Sequence, residues 1–142
     1  MADTLRQLTW RDLRMGIPQR DTRVIVAQLL ADVLRLRHRT YYPELRFMET
    51  VENTVILMAI FCAECNGKPL TALGLSKHLE MPRATLLRRL SFLALKGEIR
   101  RGPQGLRVNA SIFASPSSDD AIRSVRQTVI NAGNALSKMD TD

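Results

Sequence analysis

The chain has 142 residues and a formal net charge of +7, and 45% of its residues are hydrophobic, as in ordinary globular proteins. Its longest apolar run, residues 55–63, falls well short of the roughly 20 residues that a transmembrane helix needs. The N-terminus carries charges where a signal peptide would be apolar, so we expect a cytoplasmic protein without a membrane partner. Two cysteines exclude a disulfide framework.

The positive charge is concentrated in the middle of the chain. Residues 68–109 carry nine basic and two acidic residues, which equals the whole net excess, whereas residues 1–67 and 110–142 are nearly neutral. Basic groups clustered on one surface favour a polyanionic partner, because binding releases the counterions of that partner. A solvated basic face without a partner would have the same composition. The predicted secondary structure is therefore needed to distinguish this interpretation from a polyanion-binding surface.

An N-terminal arm and a first helix are predicted before the basic segment. Trp10 and three leucines of the first 20 residues indicate a short amphipathic arm, and Asp21 begins a helix that ends near Thr40. We interpret the apolar face of this helix as one part of a dimer interface. The face comprises Val24, Ala27, Leu30, Val33 and Leu34.

A second helix is predicted from Glu44 to about Cys65, with Pro43 in its first turn and Asn66-Gly67 closing it. Its last turns are apolar almost all round, which is typical of a central buried helix. The stripe predicted to pack comprises Leu45, Met48, Val51, Val55, Met58 and Cys62.

The basic segment predicts a helix-turn-helix. Thr71 is a candidate cap of a short helix to Leu79, Met81-Pro82 forms a turn, and a further helix spans residues 83–96 until Gly97 stops it. Leu86, Leu90 and Leu93 are predicted to be buried. The opposite or N-terminal side is predicted to contact DNA, with small residues close to base edges and arginines that reach bases or phosphates. These candidate recognition residues are Arg83, Ala84, Thr85, Leu87, Arg88 and Arg89, of which Arg89 lies nearest the flank and can instead meet an acidic neighbour.

A hairpin is predicted to follow. Two extended pieces, residues 98–101 and 106–109, flank Gly102-Pro103-Gln104-Gly105, whose composition suits a tight turn. Such a wing would lie beside the phosphate backbone or in the minor groove. The candidate wing and phosphate contacts are Arg100, Arg101, Gln104, Arg107, Lys68 and Lys77.

The last predicted helix spans about Asp119 to Ser137, with a frayed tail after Lys138. Helices at both ends outgrow the core of a small winged domain, so we assign part of their apolar surface to a second subunit. The predicted contacts on this helix are Ile122, Val125, Val129 and Leu136.

Residues that would indicate catalysis or cofactor binding are sparse. No nucleophile–histidine pattern is evident, and GPQG lacks the Lys-Ser/Thr of a phosphate loop, so we expect no enzyme and no cofactor. Cys62 and Cys65 cannot complete a zinc site without a second cysteine pair. Buried packing is the favoured interpretation of these cysteines, with redox sensing as the alternative. Tyr41 and Tyr42 can pack between helices or line a pocket for an aromatic effector.

The stretch from Leu70 to Arg101 resembles the helix-turn-helix of bacterial winged-helix regulators of the MarR and IclR types. The resemblance covers about residues 53–109 and includes Thr85, Arg88, a leucine pair spaced by a turn, and Gly97 before the wing. It implies a mainly α fold with a small β-hairpin wing, and sequence-specific binding to duplex DNA by a transcription factor. The flanking helices resemble the MarR arrangement, in which terminal helices of two subunits intertwine.

The sequence therefore predicts three parts: an arm and dimerisation helix (1–43), a winged helix-turn-helix DNA-binding domain (44–110), and a C-terminal dimerisation helix with its tail (111–142). The predicted function is a homodimeric transcriptional regulator that binds a near-palindromic operator through helix 83–96 and wing 98–109. The alternative is a winged-helix module that binds protein within a larger DNA-associated complex, since fold does not fix function.

Overall fold

The computed structural model describes residues 19–114 and 116–140, and the predicted arm lies outside them. The described residues are mainly helical with one two-stranded hairpin, as predicted. The elements are α1 (Arg20–Tyr41), α2 (Phe47–Cys65), α3 (Ala72–Leu79), α4 (Arg83–Leu95), β1 (Ile99–Gly102), β2 (Gly105–Val108), a 3₁₀ turn (Ala110–Phe113) and α5 (Pro116–Asp140). They form two compact units: residues 34–124, and residues 19–33 with 125–140.

The helix-turn-helix forms where the sequence predicts it. The side chain of Thr71 caps α3 by accepting a hydrogen bond from the Gly74 amide at 3.1 Å. The chain leaves α3 through Glu80, which adopts a left-handed conformation, and the Ser76 hydroxyl donates to the Met81 carbonyl at 2.7 Å. Pro82 then lies directly before α4, where no helical amide is needed. These local bonds fix the turn between the two helices.

The hairpin is a tight antiparallel pair with Pro103 and Gln104 at its tip. Ile99 pairs with Val108 on the buried side, while Arg100 pairs with Arg107 on the other side. The Leu106 amide donates to the Leu70 carbonyl at 2.8 Å, which ties β2 to the segment before α3. Gly105 allows this approach, because a Cβ there would lie 2.8 Å from the Leu70 oxygen and its φ is +145°.

One core joins α2, α3, α4 and the hairpin. Leu86, Leu90 and Leu93 are buried along one side of α4, which confirms the prediction. They pack with residues from α2, α3 and both strands: Ile56, Leu57, Ile60, Leu75, Ile99, Leu106 and Val108. The wing is therefore anchored to the same core that holds α4.

The predicted packing face of α2 is wrong. Met48, Val55 and Met58 are 64%, 42% and 49% exposed, and the buried face lies on the other side of the helix. That face comprises Thr50, Asn53, Thr54, Ile56, Leu57 and Ile60. Because α2 is apolar on both sides, its periodicity does not select the inner face. Polar partners do: the His38 ring bonds Thr50 at 2.7 Å, and Arg37 donates to Thr54 at 3.3 Å.

Helix ends differ modestly from the predictions. The second helix begins at Phe47 rather than Glu44, since residues 43–45 form a turn after the buried Tyr42. The last helix begins at Pro116 and continues to Asp140, so it is longer than predicted at both ends. Of the predicted tail after Lys138, residues 141–142 lie outside the described residues.

Candidate nucleic-acid interface

α4 separates an apolar side from a polar side. Opposite its buried leucines, Arg83, Ala84 and Arg88 are exposed and Thr85 is half-buried. Leu87 is also on the outer side, with 36% exposure. Small side chains at the N-terminal end leave room for the helix to approach another surface. The arginine side chains present planar sets of hydrogen-bond donors to acceptors on that surface. The structure thus brings five of the six candidate recognition residues to an accessible position.

Arg89 differs from its neighbours on α4. Its side chain is only 13% exposed, and its Nε and Nη1 atoms lie 2.7 Å from Glu52 and 3.3 Å from Glu49. Both carboxylates belong to α2, one helical turn apart. Arg89 is therefore engaged within the protein and leaves the candidate contact set. The sequence left this outcome open, and only the packing of α4 on α2 decides it.

The wing places arginines on exposed positions of both strands. Arg100 and Arg101 are exposed, as is Gln104 at the tip. A shallow pocket beside α4 is lined by Arg100 and Arg101 together with Ser91 and Ala94. The wing arginines therefore border the polar side of α4.

Arg107 lies directly opposite Arg100 in the hairpin register. Its side chain crosses Gly102, since a Cβ there would lie 3.2 Å from the Arg107 Nε. The Nε itself is buried without a hydrogen-bond partner among the described residues. Like charges directly opposite each other destabilise a hairpin. An anion bound between Arg100 and Arg107 would remove this repulsion.

Most basic residues of the segment 68–109 have no carboxylate partner within the part of the chain that the structure describes. Arg89 is paired as described, and Lys96 pairs with Glu44 at 2.7 Å. The bond from Lys96 lowers the pKa of the Glu44 carboxyl below its usual value. The remaining seven make no ion pair with any described residue: Lys68, Lys77, Arg83, Arg88, Arg100, Arg101 and Arg107. These seven residues, all exposed except the half-buried Arg107, are called the basic set below.

The two cysteines are exposed on α2, which contradicts the expectation of buried packing. They lie on the side of the helix that carries the exposed Val55 and Met58, so the error follows from the wrong choice of inner face. No cluster of three metal-ligating side chains occurs among the described residues.

The tyrosines after α1 have different environments. Tyr42 is fully buried and its hydroxyl donates to Glu98, and its ring centroid lies 6.4 Å from that of Phe92. Burial, followed by the bond to Glu98, raises the pKa of Tyr42 above its usual range. Tyr41 lines a cavity with Arg37 and donates to Ser118 at 3.2 Å. Tyr42 thus packs between elements as expected, whereas Tyr41 borders a cavity.

Five of the nine predicted dimer contacts are exposed among the described residues. In residues 19–33, Val24 and Leu30 are 50% and 61% exposed, and α1 as a whole has no buried residue. In residues 125–140, Val129 is 48% exposed. Ala27 is exposed too, and Ile122 on the first part of α5 is 63% exposed. The other four predicted contacts are half-buried: Val33, Leu34, Val125 and Leu136.

The helices of residues 19–114 and 116–140 include none that is long and apolar enough to cross a membrane. No protein-family model matches the chain, and no curated protein matches it. Among solved structures, the chain is similar to the crystal structure of the oxidized form of MarR from E. coli. The two are 20% identical, the match covers 86% of this chain and 82% of that chain, and the TM-score is 0.47.

The chain's own elements define its fold. A capped short helix, a fixed turn, a second helix and a hairpin share one core, in that order along the chain. The segment from α3 to β2 is a winged helix-turn-helix. Six of the seven residues of the basic set lie in this segment, and its inner side carries the leucines that the sequence identified.

Proposed function

We propose that the protein is a transcriptional regulator that binds duplex DNA as a homodimer. The outer side of α4 enters the major groove, and the wing follows the adjacent phosphate backbone. Arg83 and Arg88 are the arginines of α4 that reach bases or phosphates. Arg100, Arg101 and Arg107 contact backbone phosphates, and Lys68 and Lys77 extend the same basic surface.

The observation that carries the proposal is the basic set. Like charges that lie on one segment without carboxylate partners repel one another, and a bound polyanion relieves that repulsion and releases its own counterions. Here seven of the nine basic residues of the segment have none within the described residues. Unpaired cations on the polar side of a helix-turn-helix and on its wing match the phosphates that flank a groove.

The arrangement favours a duplex over single strands. Proteins that hold single strands stack successive bases on aromatic side chains. Phe92 is the one aromatic residue of the segment 68–109, and it is half-buried beside Tyr42. The segment that carries most of the basic set therefore supplies no exposed aromatic side chain on which bases could stack, which favours a duplex as the partner.

The exposed apolar residues of the terminal segments support the homodimer. Val24 and Leu30 on α1 and Val129 on α5 would be covered by a second copy of the same segments. A two-fold dimer presents two α4 helices to successive major grooves about 34 Å apart, which explains why a near-palindromic operator is expected. Sedimentation equilibrium of the purified chain tests this part independently, because a monomer at micromolar concentration contradicts it.

Duplex binding is tested by titrating a fluorescent genomic duplex library with the purified protein at several salt concentrations. We expect an affinity that falls steeply with salt, with a slope of about −0.9 for each phosphate contacted. A competing single strand of the same sequence should displace the duplex poorly. If the protein ignores duplex DNA at low salt, the winged helix is instead a protein-binding module.

A further inference from the structure

The neighbours Arg88 and Arg89 on α4 meet opposite environments. Arg88 is exposed and makes no ion pair with any described residue. Arg89 is 13% exposed and spans two carboxylates of α2, with Glu52 at 2.7 Å and Glu49 at 3.3 Å. Consecutive residues of a helix point about 100° apart, so the two guanidinium groups leave α4 in different directions.

Glu49 and Glu52 are one helical turn apart on α2, and about a third of each side chain is exposed, 32% and 35%. Like charges at this spacing repel each other. A guanidinium has five donors in a fixed fork, so one arginine can bond both carboxylates and reduce the repulsion. Without Arg89 the pair would be an uncompensated acidic site on the side of α2 that faces α4.

The same acidic pair borders a concavity that Arg88 also lines. The lining of this surface concavity comprises Arg46, Met48, Glu49, Glu52, Arg88 and Arg89. Arg88 is thus the cation of α4 without an ion-pair partner among the described residues that shares this concavity with the carboxylates, and its flexible side chain can turn towards them. Arg46 lies on the same concavity and is the competing cation.

We propose that Arg89 is a positioning residue: it occupies Glu49 and Glu52, and so keeps Arg88 free for duplex DNA. This inference rests on the proposed function, because it assigns DNA contact to Arg88. Arg89 itself touches no DNA. Its effect on binding is carried by the two carboxylates and by the direction of the Arg88 side chain.

The test is a set of variants titrated with a duplex selected from genomic fragments by the wild-type protein. Arg89→Ala should weaken binding by about tenfold, the value of one lost charge-assisted contact. Combining Arg89→Ala with Glu49→Gln and Glu52→Gln should restore the affinity to that of the Glu49→Gln/Glu52→Gln control. A combined protein that stays about tenfold weaker than this control shows that Arg89 contacts DNA, and overturns the proposal.

The background Arg88→Ala separates positioning from simple stabilisation. There, adding Arg89→Ala should change affinity by less than about twofold, because the residue that Arg89 keeps free is already absent. A further tenfold loss in that background contradicts the inference. If Arg89→Ala does not fold by circular dichroism, Arg89→Lys takes its place, since lysine keeps the charge but cannot hold both carboxylates with a planar fork.

A measurement without DNA keeps the inference separate from the proposed function. The Nε–H signal of Arg88 in nitrogen-15 NMR should exchange rapidly with water in the wild type and slowly in Arg89→Ala, where the carboxylates hold it. Unchanged exchange overturns the inference even if the protein binds duplex DNA. Slowed exchange together with no duplex binding by the wild type leaves the ion-pair competition standing and refutes the proposed function.

Discussion

The winged segment, residues 68–109, and the terminal segments, residues 19–33 and 125–140, both expose groups that the described residues leave unmatched. In the winged segment these groups are cations, and the basic set has no carboxylate partners among the described residues. In the terminal segments they are apolar side chains such as Leu30, which is 61% exposed. This difference in kind is the basis for proposing two different occupants: a polyanion for the winged segment, and an apolar surface of a second copy for the terminal segments.

The largest effect on stability is expected in the core of the winged segment, where a buried and an exposed leucine of α4 can be compared. Leu93 is fully buried, whereas Leu95 on the same helix is 89% exposed. Leu93→Ala should lower the free energy of unfolding by about 2–5 kcal/mol, since it removes core contacts and leaves a cavity. Leu95→Ala is the matched control and should change it by less than about 0.5 kcal/mol. Urea unfolding measures both, and equal effects would contradict the described packing of α4.

The proposed role of the apolar residues of the terminal segments is tested by placing a charge in the dimer interface. Leu30→Glu should raise the dimer dissociation constant by about 100-fold or more, because a buried carboxylate without a partner is costly. Leu95→Glu adds the same charge at a more exposed leucine outside the terminal segments and should leave the dimer intact. Sedimentation equilibrium distinguishes the two, and a Leu30→Glu protein as dimeric as the wild type would remove α1 from the interface.

A smaller effect is expected at Tyr42, which joins the end of α1 to the base of the wing through Glu98. Tyr42→Phe should lower the free energy of unfolding by about 1–3 kcal/mol, because it leaves the half-buried carboxylate without this donor. The pKa of Tyr42 is raised in the fold, so its contribution is complete below the unfolded value of about 10 and is lost as the pH rises above it. The free energy of unfolding of the Phe variant should therefore fall less steeply with rising alkaline pH than that of the wild type. If the slope of the free energy of unfolding against alkaline pH is the same in both proteins, the Tyr42 hydroxyl does not contribute to it.

The smallest effects are expected at the wing, where removing single arginines tests their contribution to the salt dependence of DNA binding. Arg101→Ala and Arg107→Ala should each reduce the salt slope of DNA binding by about 0.9 for each wing in the complex, because each removes a phosphate contact. Both changes should weaken selected and random duplexes alike. Gln104→Ala, at the exposed tip, is the uncharged control and should leave the slope unchanged. A sequence-dependent loss at Arg101 would instead mean that the wing reads bases.

Local signals in the sequence predicted the winged segment well. The Thr71 cap, the Met81-Pro82 turn, the spacing of Leu86, Leu90 and Leu93 and the GPQG turn each act within a few residues. They produce the same elements in the structure. Each of these features has one strongly preferred local conformation, so no knowledge of distant residues is needed.

Features that depend on packing between distant helices could not be predicted in the same way. α2 is apolar on two sides, so its inner face is chosen by contacts of Thr50 and Thr54 with α1, and the cysteines consequently lie outside. The partners of Arg89 lie 37 and 40 residues away in the chain. The position of Arg89 on the helix flank allowed an acidic neighbour as its partner, but only the packing of α4 on α2 identifies Glu49 and Glu52 as that partner.

The central claim is that the outer side of α4 binds duplex DNA, and a direct titration tests it. The wild type and Arg83→Ala/Arg88→Ala are titrated with the same selected duplex, and Arg123→Ala/Arg126→Ala serves as the control that removes two exposed arginines from α5. We expect the α4 variant to lose about 100-fold in affinity and the control to change little. Equal affinity of the α4 variant and the wild type would contradict it.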